Sequence, residues 1–186
     1  FRAQSGQISF PADKYVNFFP CKKHDHFLIP AGTVHCSAAD TMVLEISATP
    51  YNFTFKLWDW DRVGLDGLPR PIHIEDGLRN IQWNRTTEWV KENLVNQITT
   101  ISRIDKTLEE RTGLHEFEFI ETRRFTTCET TYHDTRDGFH ICNLVDGKEA
   151  VIESPENAFE PYKVHYAETF IIPASVGAYS VRPAKE

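Results

Sequence analysis

The stretch DHFLIPAGTVH, residues 25–35, recurs in similar form near the other end of the chain. It aligns without gaps on ETFIIPASVGA, residues 168–178, and both segments carry an acid, then Phe, two aliphatic residues and Pro-Ala. A unit that occurs twice in one chain indicates a duplicated fold. The alternative is coincidence, since a strand followed by a turn often has this composition.

Most of the remaining sequence alternates between its two faces as β-strands do. The alternation predicts strands over Thr41–Thr49 and Asn52–Trp60. Two β-rich runs in residues 139–153 flank Asp146-Gly147, a dipeptide that predicts a two-residue hairpin. Many short strands with turn signals predict a mainly β fold, for which the jelly roll is the natural architecture.

A helical pattern occurs only in the middle of the chain. Ile74, Leu78 and Ile81 stand at positions i, i+4 and i+7, which lie on one face of a helix. A second set of apolar residues, at every fourth position, follows a predicted N-cap at Thr86-Thr87. The sequence therefore predicts a short helical connector over residues 72–98, with strands on either side.

Composition and charge restrict the classes of partner. The chain has 186 residues and a formal net charge of −7, which argues against nucleic acid or an anionic membrane surface as the main partner. No apolar run is long enough to span a bilayer. Four scattered cysteines without paired spacing favour a reducing, cytoplasmic compartment. The chain begins without an initiator methionine, so we expect it to be part of a longer protein.

Three histidines surround the first copy of the repeat. His24 and His26 alternate on one predicted strand, and His35 follows the Pro-Ala-Gly turn. The three could form one metal site, because such a centre takes three or four donors from neighbouring strands. The alternative is that His24 and His26 are surface residues at the start of a strand. Glu45, in an apolar run, is open between metal ligand, general base and structural carboxylate.

Basic residues in the same half of the chain could serve an anionic substrate. The set consists of Lys22, Lys23, Lys56, Arg62 and Arg70. Each alone is more often a solvated surface charge. Lys56 is the most informative of them, because it shares its predicted strand face with two tryptophans.

Four sequence blocks in this order carry a family resemblance. They are VNFFPCKKHDHFLIPAGTVHC, LEIS, FKLWDWDR and GLPRPIHIEDGL, at residues 16–36, 44–47, 55–62 and 67–78. This region resembles the bacterial class I mannose-6-phosphate isomerases, which are zinc-dependent cupins that interconvert mannose 6-phosphate and fructose 6-phosphate. The resemblance is close over residues 15–82 and looser over residues 114–183.

The resemblance implies roles for four residues. His35 matches the family's metal-ligating histidine after Pro-Ala-Gly-Thr, and Arg62 matches an active-site arginine implicated in proton transfer. Lys22 matches a lysine near the substrate cleft. Lys56 stands where the family usually has arginine, which keeps the charge but loses a bidentate contact to phosphate. We therefore expect Arg62 to be catalytic, Lys22 and Lys56 to bind the substrate, and His35 to bind zinc.

Several departures from the family pattern bear on the metal. The family has other residue types at His24 and His26, so it supports neither as a ligand. Its remaining ligands come from an upstream Gln-x-His-Pro segment and a later glutamate, and nothing in residues 1–20 resembles that segment. Ala178 occupies the place of His35 in the second copy of the repeat, so the second cupin is expected to be metal-free and structural.

The resemblance thus implies a mainly β protein of two cupin-type jelly-roll units. Residues 1–71 are expected to form an incomplete catalytic-type cupin, residues 72–98 the connector, and residues 99–186 the degenerate second cupin. The implied activity is zinc-dependent isomerisation of a small sugar phosphate, with this chain inactive in isolation. The alternative is a non-catalytic cupin that binds or senses a sugar. An uncovered sheet edge would invite self-association.

Overall fold

The structure is a computed structural model that describes residues 2, 3, 5–47, 54–113, 119–136 and 138–184. The chain forms two units. Unit 1 comprises Phe1–Ile98 and Thr112–Thr122, and unit 2 comprises Thr99–Arg111 and Arg123–Glu186. The predicted division into an incomplete cupin, a connector and a second cupin stays a prediction.

Nine strands occur in the described part of the chain, and all of them lie in unit 2. In chain order they are β1 Thr99–Ile104, β2 Thr107–Arg111, β3 Arg123–Thr126, β4 Thr131–Asp134, β5 His140–Asn143, β6 Glu149–Glu153, β7 Tyr162–His165, β8 Thr169–Ile172 and β9 Ala178–Pro183. The predicted mainly β fold is confirmed. The finer prediction, that of two jelly-roll units, stays a prediction.

The strands of unit 2 form three antiparallel sheets. β1, β2 and β3 make one sheet, β4, β9, β6 and β7 a second in that order, and β5 and β8 a third. Ile152 and Tyr179 of the four-stranded sheet and Ile172 of the two-stranded sheet belong to one buried cluster. The core of unit 2 therefore lies between these two sheets, with polar neighbours such as Glu153 directed to the other face.

The hairpin predicted at Asp146-Gly147 is wrong in its pairing. Strands β5 and β6 do flank this dipeptide, and Gly147 has a φ of 85°, as a tight turn requires. The two strands do not pair with each other, however, because β5 pairs with β8 whereas β6 pairs with β7 and β9. The dipeptide therefore carries the chain from one sheet to another.

The two strands predicted in unit 1 are not formed where the structure describes them. Residues 41–47 and 54–60 contain no strand, while the predicted strand residues 48, 49, 52 and 53 lie outside the described part. The physical reason is that a pleated pattern becomes a strand only beside a neighbour that pairs with its N–H and C=O groups. Met42 is 77% exposed and Leu44 52% exposed, so this apolar run is uncovered.

The two helices predicted in residues 72–98 are confirmed, although their role as a connector stays a prediction. Helix α1 spans Ile74–Asn80 and helix α2 spans Thr87–Asn93. Thr86, the first of the two predicted N-cap residues, is the N-cap of α2, but its hydroxyl makes no capping hydrogen bond. After α2, Leu94 and Asn96 exchange main-chain hydrogen bonds with residues 26–28, and Leu94 is buried. No helix in the described residues is long and apolar enough to cross a membrane.

Candidate functional site

The first copy of the repeat is a closed turn in unit 1. The N–H of Thr33 donates to the carbonyl oxygen of Pro30 at 3.1 Å, and the N–H of Gln82 donates to that of Gly32 at 3.0 Å. Gly32 has a φ of 84°, a conformation that favours glycine because a Cβ would clash with the backbone. The turn is therefore fixed by its own hydrogen bond and by the segment after α1.

Arg85 supplies a further set of contacts to this turn. Its Nη1 donates to the carbonyl oxygens of Pro30 and Ala31, at 3.0 and 2.8 Å, and to the hydroxyl of Thr33. The guanidinium also lies 5.5 Å from the ring centroid of Trp89, within the range of a cation–π contact. One side chain thus satisfies three acceptors of a segment that forms no strand.

The two copies of the repeat begin with the same hydrogen-bond pattern. In the first copy the N–H of Lys22 donates to the carboxylate of Asp25 at 3.0 Å, and the N–H of Asp25 donates to the carbonyl oxygen of Lys22 at 3.1 Å. His165 and Glu168 make the same two bonds in the second copy, at 2.7 and 3.1 Å. In each copy the main-chain N–H lowers the pKa of the carboxyl group.

The two copies also share the turn that follows. The bond from Thr33 N–H to Pro30 has its counterpart in a bond of 3.0 Å from Val176 N–H to Pro173. Where Arg85 bonds the first turn, the hydroxyl of Thr135 bonds the second, donating to Ala174 at 3.0 Å. The repeated sequence therefore makes the same main-chain hydrogen bonds twice, with different side chains holding each turn.

The candidate metal ligand His35 lies two residues beyond the first turn and is exposed. Its Nδ1 is 2.9 Å from the carbonyl oxygen of Thr33. Because a carbonyl oxygen only accepts, Nδ1 carries the proton of this bond, and in the neutral ring Nε2 is left as an acceptor. Metal-binding histidines are commonly oriented by such a bond, so His35 is suited to act as one donor.

The three-histidine centre is contradicted. His24 lies on an exposed turn with a φ of 71°, whereas His26 is partly buried with its ring against Gly113. Within the described residues, no three His, Cys, Asp or Glu side chains form a group that could hold a metal ion. The described residues therefore do not by themselves fit a zinc centre, which takes three or four protein donors. Glu45 is exposed and belongs to no such group.

The clearest electrostatic feature of unit 1 is a loop, residues 56–70, that we call the basic loop after Lys56, Arg62 and Arg70. Asp59 is largely buried and forms ion pairs with Lys56, at 3.6 Å, and with Arg70. The main chain connects Arg62 to the same group, because its N–H donates to the carbonyl oxygen of Asp59 at 3.0 Å and its carbonyl oxygen accepts from Arg70 N–H at 3.1 Å. Two cations thus pair with the carboxylate of Asp59, and Arg62 is joined to them through its main chain.

The second carboxylate of the basic loop, that of Asp61, is held by neutral groups. The hydroxyl of Ser9 and the indole N–H of Trp58 both donate to it, and these bonds lower its pKa, the serine bond most. Arg62 is exposed, and its guanidinium forms no ion pair with any residue that the structure describes. The loop carries three cations and three carboxylates and so has no net charge, and Arg62 is its cation open to solvent.

The structure brings together only some of the predicted site residues. Lys56 and Arg62 share the basic loop, whereas Lys22 and His35 lie on the segment of the first turn, where Lys22 is exposed. Their assigned roles stay predictions. Sequence reasoning missed Asp59, Arg85 and His73, although Asp59 lies inside the quoted FKLWDWDR block and His73 inside GLPRPIHIEDGL.

Three known proteins that are similar to this chain are all named as mannose-6-phosphate isomerases. The chain is 37% identical over 60 residues to the probable mannose-6-phosphate isomerase GmuF of Bacillus subtilis, a match that covers 32% of this chain and 19% of that protein. It is 22% identical over 166 residues to the putative mannose-6-phosphate isomerase YvyI of the same organism, which covers 87% and 46%. It is 32% identical over 66 residues to the mannose-6-phosphate isomerase of Streptococcus mutans, which covers 36% and 21%.

The extent of these matches limits what they establish. The chain spans less than half the length of each of the three relatives. No family model matches the chain, and no solved structure matches it significantly. The chain is therefore similar to proteins named as mannose-6-phosphate isomerases, either at low identity or over part of its length.

Proposed function

We propose that this chain is part of a mannose-6-phosphate isomerase, which interconverts mannose 6-phosphate and fructose 6-phosphate. The observation that carries the proposal is the basic loop, where Lys56 and Arg70 pair with Asp59 and the exposed Arg62 is joined to the same group by main-chain hydrogen bonds. A phosphate monoester carries nearly two negative charges near pH 7 and is held by clustered Lys and Arg side chains. The names of the three relatives support the same activity.

In this proposal the chain's cations bind and orient the substrate. Lys56 and Lys22 contact the sugar phosphate, and Arg62 faces the reacting carbons. The isomerisation removes a proton from C2 of the aldose and returns one to C1, through a cis-enediol, while the carbonyl and hydroxyl oxygens exchange roles. A permanently charged guanidinium stabilises the negative charge that develops on oxygen.

The zinc dependence and the cupin architecture belong to the proposal as well. His35 is proposed as one zinc donor, with its ring oriented by the carbonyl oxygen of Thr33. Because the described residues hold no group of three donors, no step of the reaction is assigned to the metal. Two jelly-roll units, a cytoplasmic location and self-association through an open sheet edge complete the proposal.

A second candidate is a non-catalytic module that binds a sugar phosphate without turnover. The basic loop supports it as well, because cations that bind a phosphate group need no metal donor beside them. Both candidates require the basic loop to bind the ligand, and only the first requires conversion of mannose 6-phosphate to the ketose.

Calorimetric titration with mannose 6-phosphate, mannose and inorganic phosphate tests the ligand. We expect mannose 6-phosphate to bind more tightly than mannose, and Lys56→Ala and Arg62→Ala each to weaken binding about tenfold, the worth of one charge-assisted hydrogen bond. Lys91→Ala, which removes an exposed cation from α2, is the matched control and should bind as the wild type does.

An isomerase assay with and without added zinc, on the whole protein of which this chain is proposed to be part, then separates the two candidates, because the chain alone is expected to be inactive. Formation of fructose 6-phosphate supports the enzyme, and binding without turnover in every condition supports the binding module. Equal weakening by Lys91→Ala and Arg62→Ala would mean that only the general charge of the surface attracts the ligand, and the assigned site would be wrong.

A further inference from the structure

His73 makes an unusual pair of contacts with the residue proposed to bind phosphate. The main-chain N–H of Lys56 donates to Nδ1 of His73 at 3.1 Å, and the N–H of His73 donates to the carbonyl oxygen of Lys56 at 2.7 Å. One residue therefore satisfies both main-chain polar groups of Lys56. Because Nδ1 accepts a hydrogen bond, the neutral ring carries its proton on Nε2.

The contacts matter because residues 54–60 form no strand. A segment without a neighbouring strand lacks the main-chain hydrogen bonds of a sheet. Its main chain, and the side chains attached to it, are therefore freer to move. At residue 56, the two hydrogen bonds from His73 replace those that a neighbouring strand would make. The side chain of Lys56 then starts from a fixed main chain, with its amine 3.6 Å from Asp59.

Helix α1 makes His73 a rigid support. His73 is the residue before α1, and its carbonyl oxygen accepts the N–H of Gly77 at 2.9 Å. Gly77 is buried, and a Cβ on it would lie 2.3 Å from Cδ2 of Leu57, so the absence of a side chain allows close packing. Leu57 therefore packs on the same helix from which His73 bonds to Lys56.

We propose that His73 is a positioning residue, which fixes Lys56 for contact with the phosphate group of the substrate. The inference rests on the proposed function and extends it to a residue outside the predicted site. His73 itself does not touch the substrate in this proposal. Its effect passes through the main chain of Lys56 and through Asp59, which Lys56 shares with Arg70.

The test uses two variants that differ in where they place an acceptor. His73→Asn puts a carbonyl oxygen near the position of Nδ1, whereas His73→Gln puts one nearer to the position of Nε2. Hydrogen exchange of the Lys56 amide should remain slow in His73→Asn and become fast in His73→Gln. Calorimetry with mannose 6-phosphate should give a dissociation constant raised about fivefold in His73→Gln and by less than about twofold in His73→Asn, since one hydrogen bond contributes about that much.

Each result decides a separate point. If both variants bind mannose 6-phosphate as the wild type does, or if both lose binding equally while the β6 amides of unit 2 stay protected, the positioning role is wrong. If the wild-type chain does not bind mannose 6-phosphate, the proposed function fails. In that case, fast hydrogen exchange of the Lys56 amide in His73→Gln would show that His73 has a structural role only, and its proposed role toward the substrate would be refuted.

Discussion

Gly32 and Ser175 occupy the same position in the two copies of one turn, yet they differ in backbone conformation. Both turns close with a bond from the following N–H to proline, at 3.1 Å in the first and 3.0 Å in the second. Gly32 has a φ of 84°, whereas Ser175 lies in a short 3₁₀ turn, Ala174–Val176, with negative φ. The glycine is therefore required in one copy and dispensable in the other.

We expect Gly32→Ala to destabilise unit 1. The new Cβ would lie 2.6 Å from the carbonyl oxygen of Asn80 and 2.8 Å from Cγ of Gln82, in a backbone conformation that alanine rarely adopts. The cost should be about 2–4 kcal/mol in free energy of unfolding. All four tryptophans lie in unit 1, so urea unfolding followed by tryptophan fluorescence measures this unit alone.

Ser175→Ala is the matched control for this prediction. It removes a hydroxyl at the equivalent position of the second copy and should change stability by no more than about 0.5 kcal/mol. Circular dichroism follows unit 2, which holds the strands of the described chain. If Gly32→Ala left the fluorescence transition where it is in the wild type, the turn would be far more tolerant than its contacts indicate.

Arg85→Ala should also weaken unit 1, by about 2–3 kcal/mol, because three acceptors lose a charged donor. Arg85→Lys should fall between the wild type and Arg85→Ala, since an ammonium keeps the charge but not the planar geometry. Arg79→Ala is the control, because Arg79 is exposed and its ion pair with Asp76 is an i,i+3 surface contact. Equal urea midpoints for Arg85→Ala and Arg79→Ala would contradict the role given to Arg85.

The stability of unit 2 should fall as the pH is lowered through the range in which histidine titrates. Burial lowers the pKa of His133 below its usual value of 6.5, and the nearby His140 lowers it further, while Glu109 acts in the opposite direction. As the pH falls, the unfolded chain therefore binds a proton at His133 more readily than the folded unit does. The stability contributed by the neutral His133 is fully present above pH 6.5 and is lost as the pH falls below it. Circular dichroism of urea unfolding at pH 7.5 and pH 5.5 measures the loss.

The His133→Gln variant separates the contribution of His133 to the pH dependence from that of other titrating groups. Its hydrogen bond of 2.8 Å with the hydroxyl of Thr131 can be replaced by an amide, but the titrating group is gone. The difference in stability between the two pH values should shrink in the variant. An unchanged difference would assign the pH dependence to other groups.

Cys142 should react with iodoacetamide much more slowly than the other three cysteines. Burial raises the pKa of its thiol, so less of it is present as the reactive thiolate at pH 8, and access is also restricted. The other thiols are exposed: Cys21, Cys36 and Cys128. Peptide mass spectrometry over a time course gives the four rates, and labelling of Cys142 as fast as Cys128 would mean that unit 2 opens readily.

The parts of the fold that can be predicted from the sequence are those that depend on residues close to one another along the chain. Thr86 and the spacing of Ile74 and Leu78 identify helices, because a helix satisfies its hydrogen bonds within four residues along the chain. The strand pattern of residues 41–47 is equally clear, yet no strand forms in the described structure. A strand depends on a neighbour from elsewhere in the chain, and periodicity carries no information about it.

The candidate site divides in the same way. Lys56 and Arg62 lie six positions apart, and both contact the intervening Asp59, Lys56 through its amine and Arg62 through its main-chain N–H. Such short separations along the chain can be recognised in the sequence. Arg85 acts on acceptors 52 to 55 positions away, and His73 on a residue 17 positions away. Neither role can be inferred from composition or spacing, because each depends on how distant segments meet in unit 1.

The strand order of unit 2 has a consequence for the time course of folding. β9 lies between β4 and β6, so the four-stranded sheet places its last strand at its centre. Thr131 pairs with Val181 across fifty positions, and such distant pairings carry a high loop-closure cost before they contribute any stability. During synthesis, β6 can pair only with β7, and β4 has no partner in this sheet, until residues 178–183 have left the ribosome. Unit 2 is therefore expected to fold slowly and to complete its four-stranded sheet in a late step.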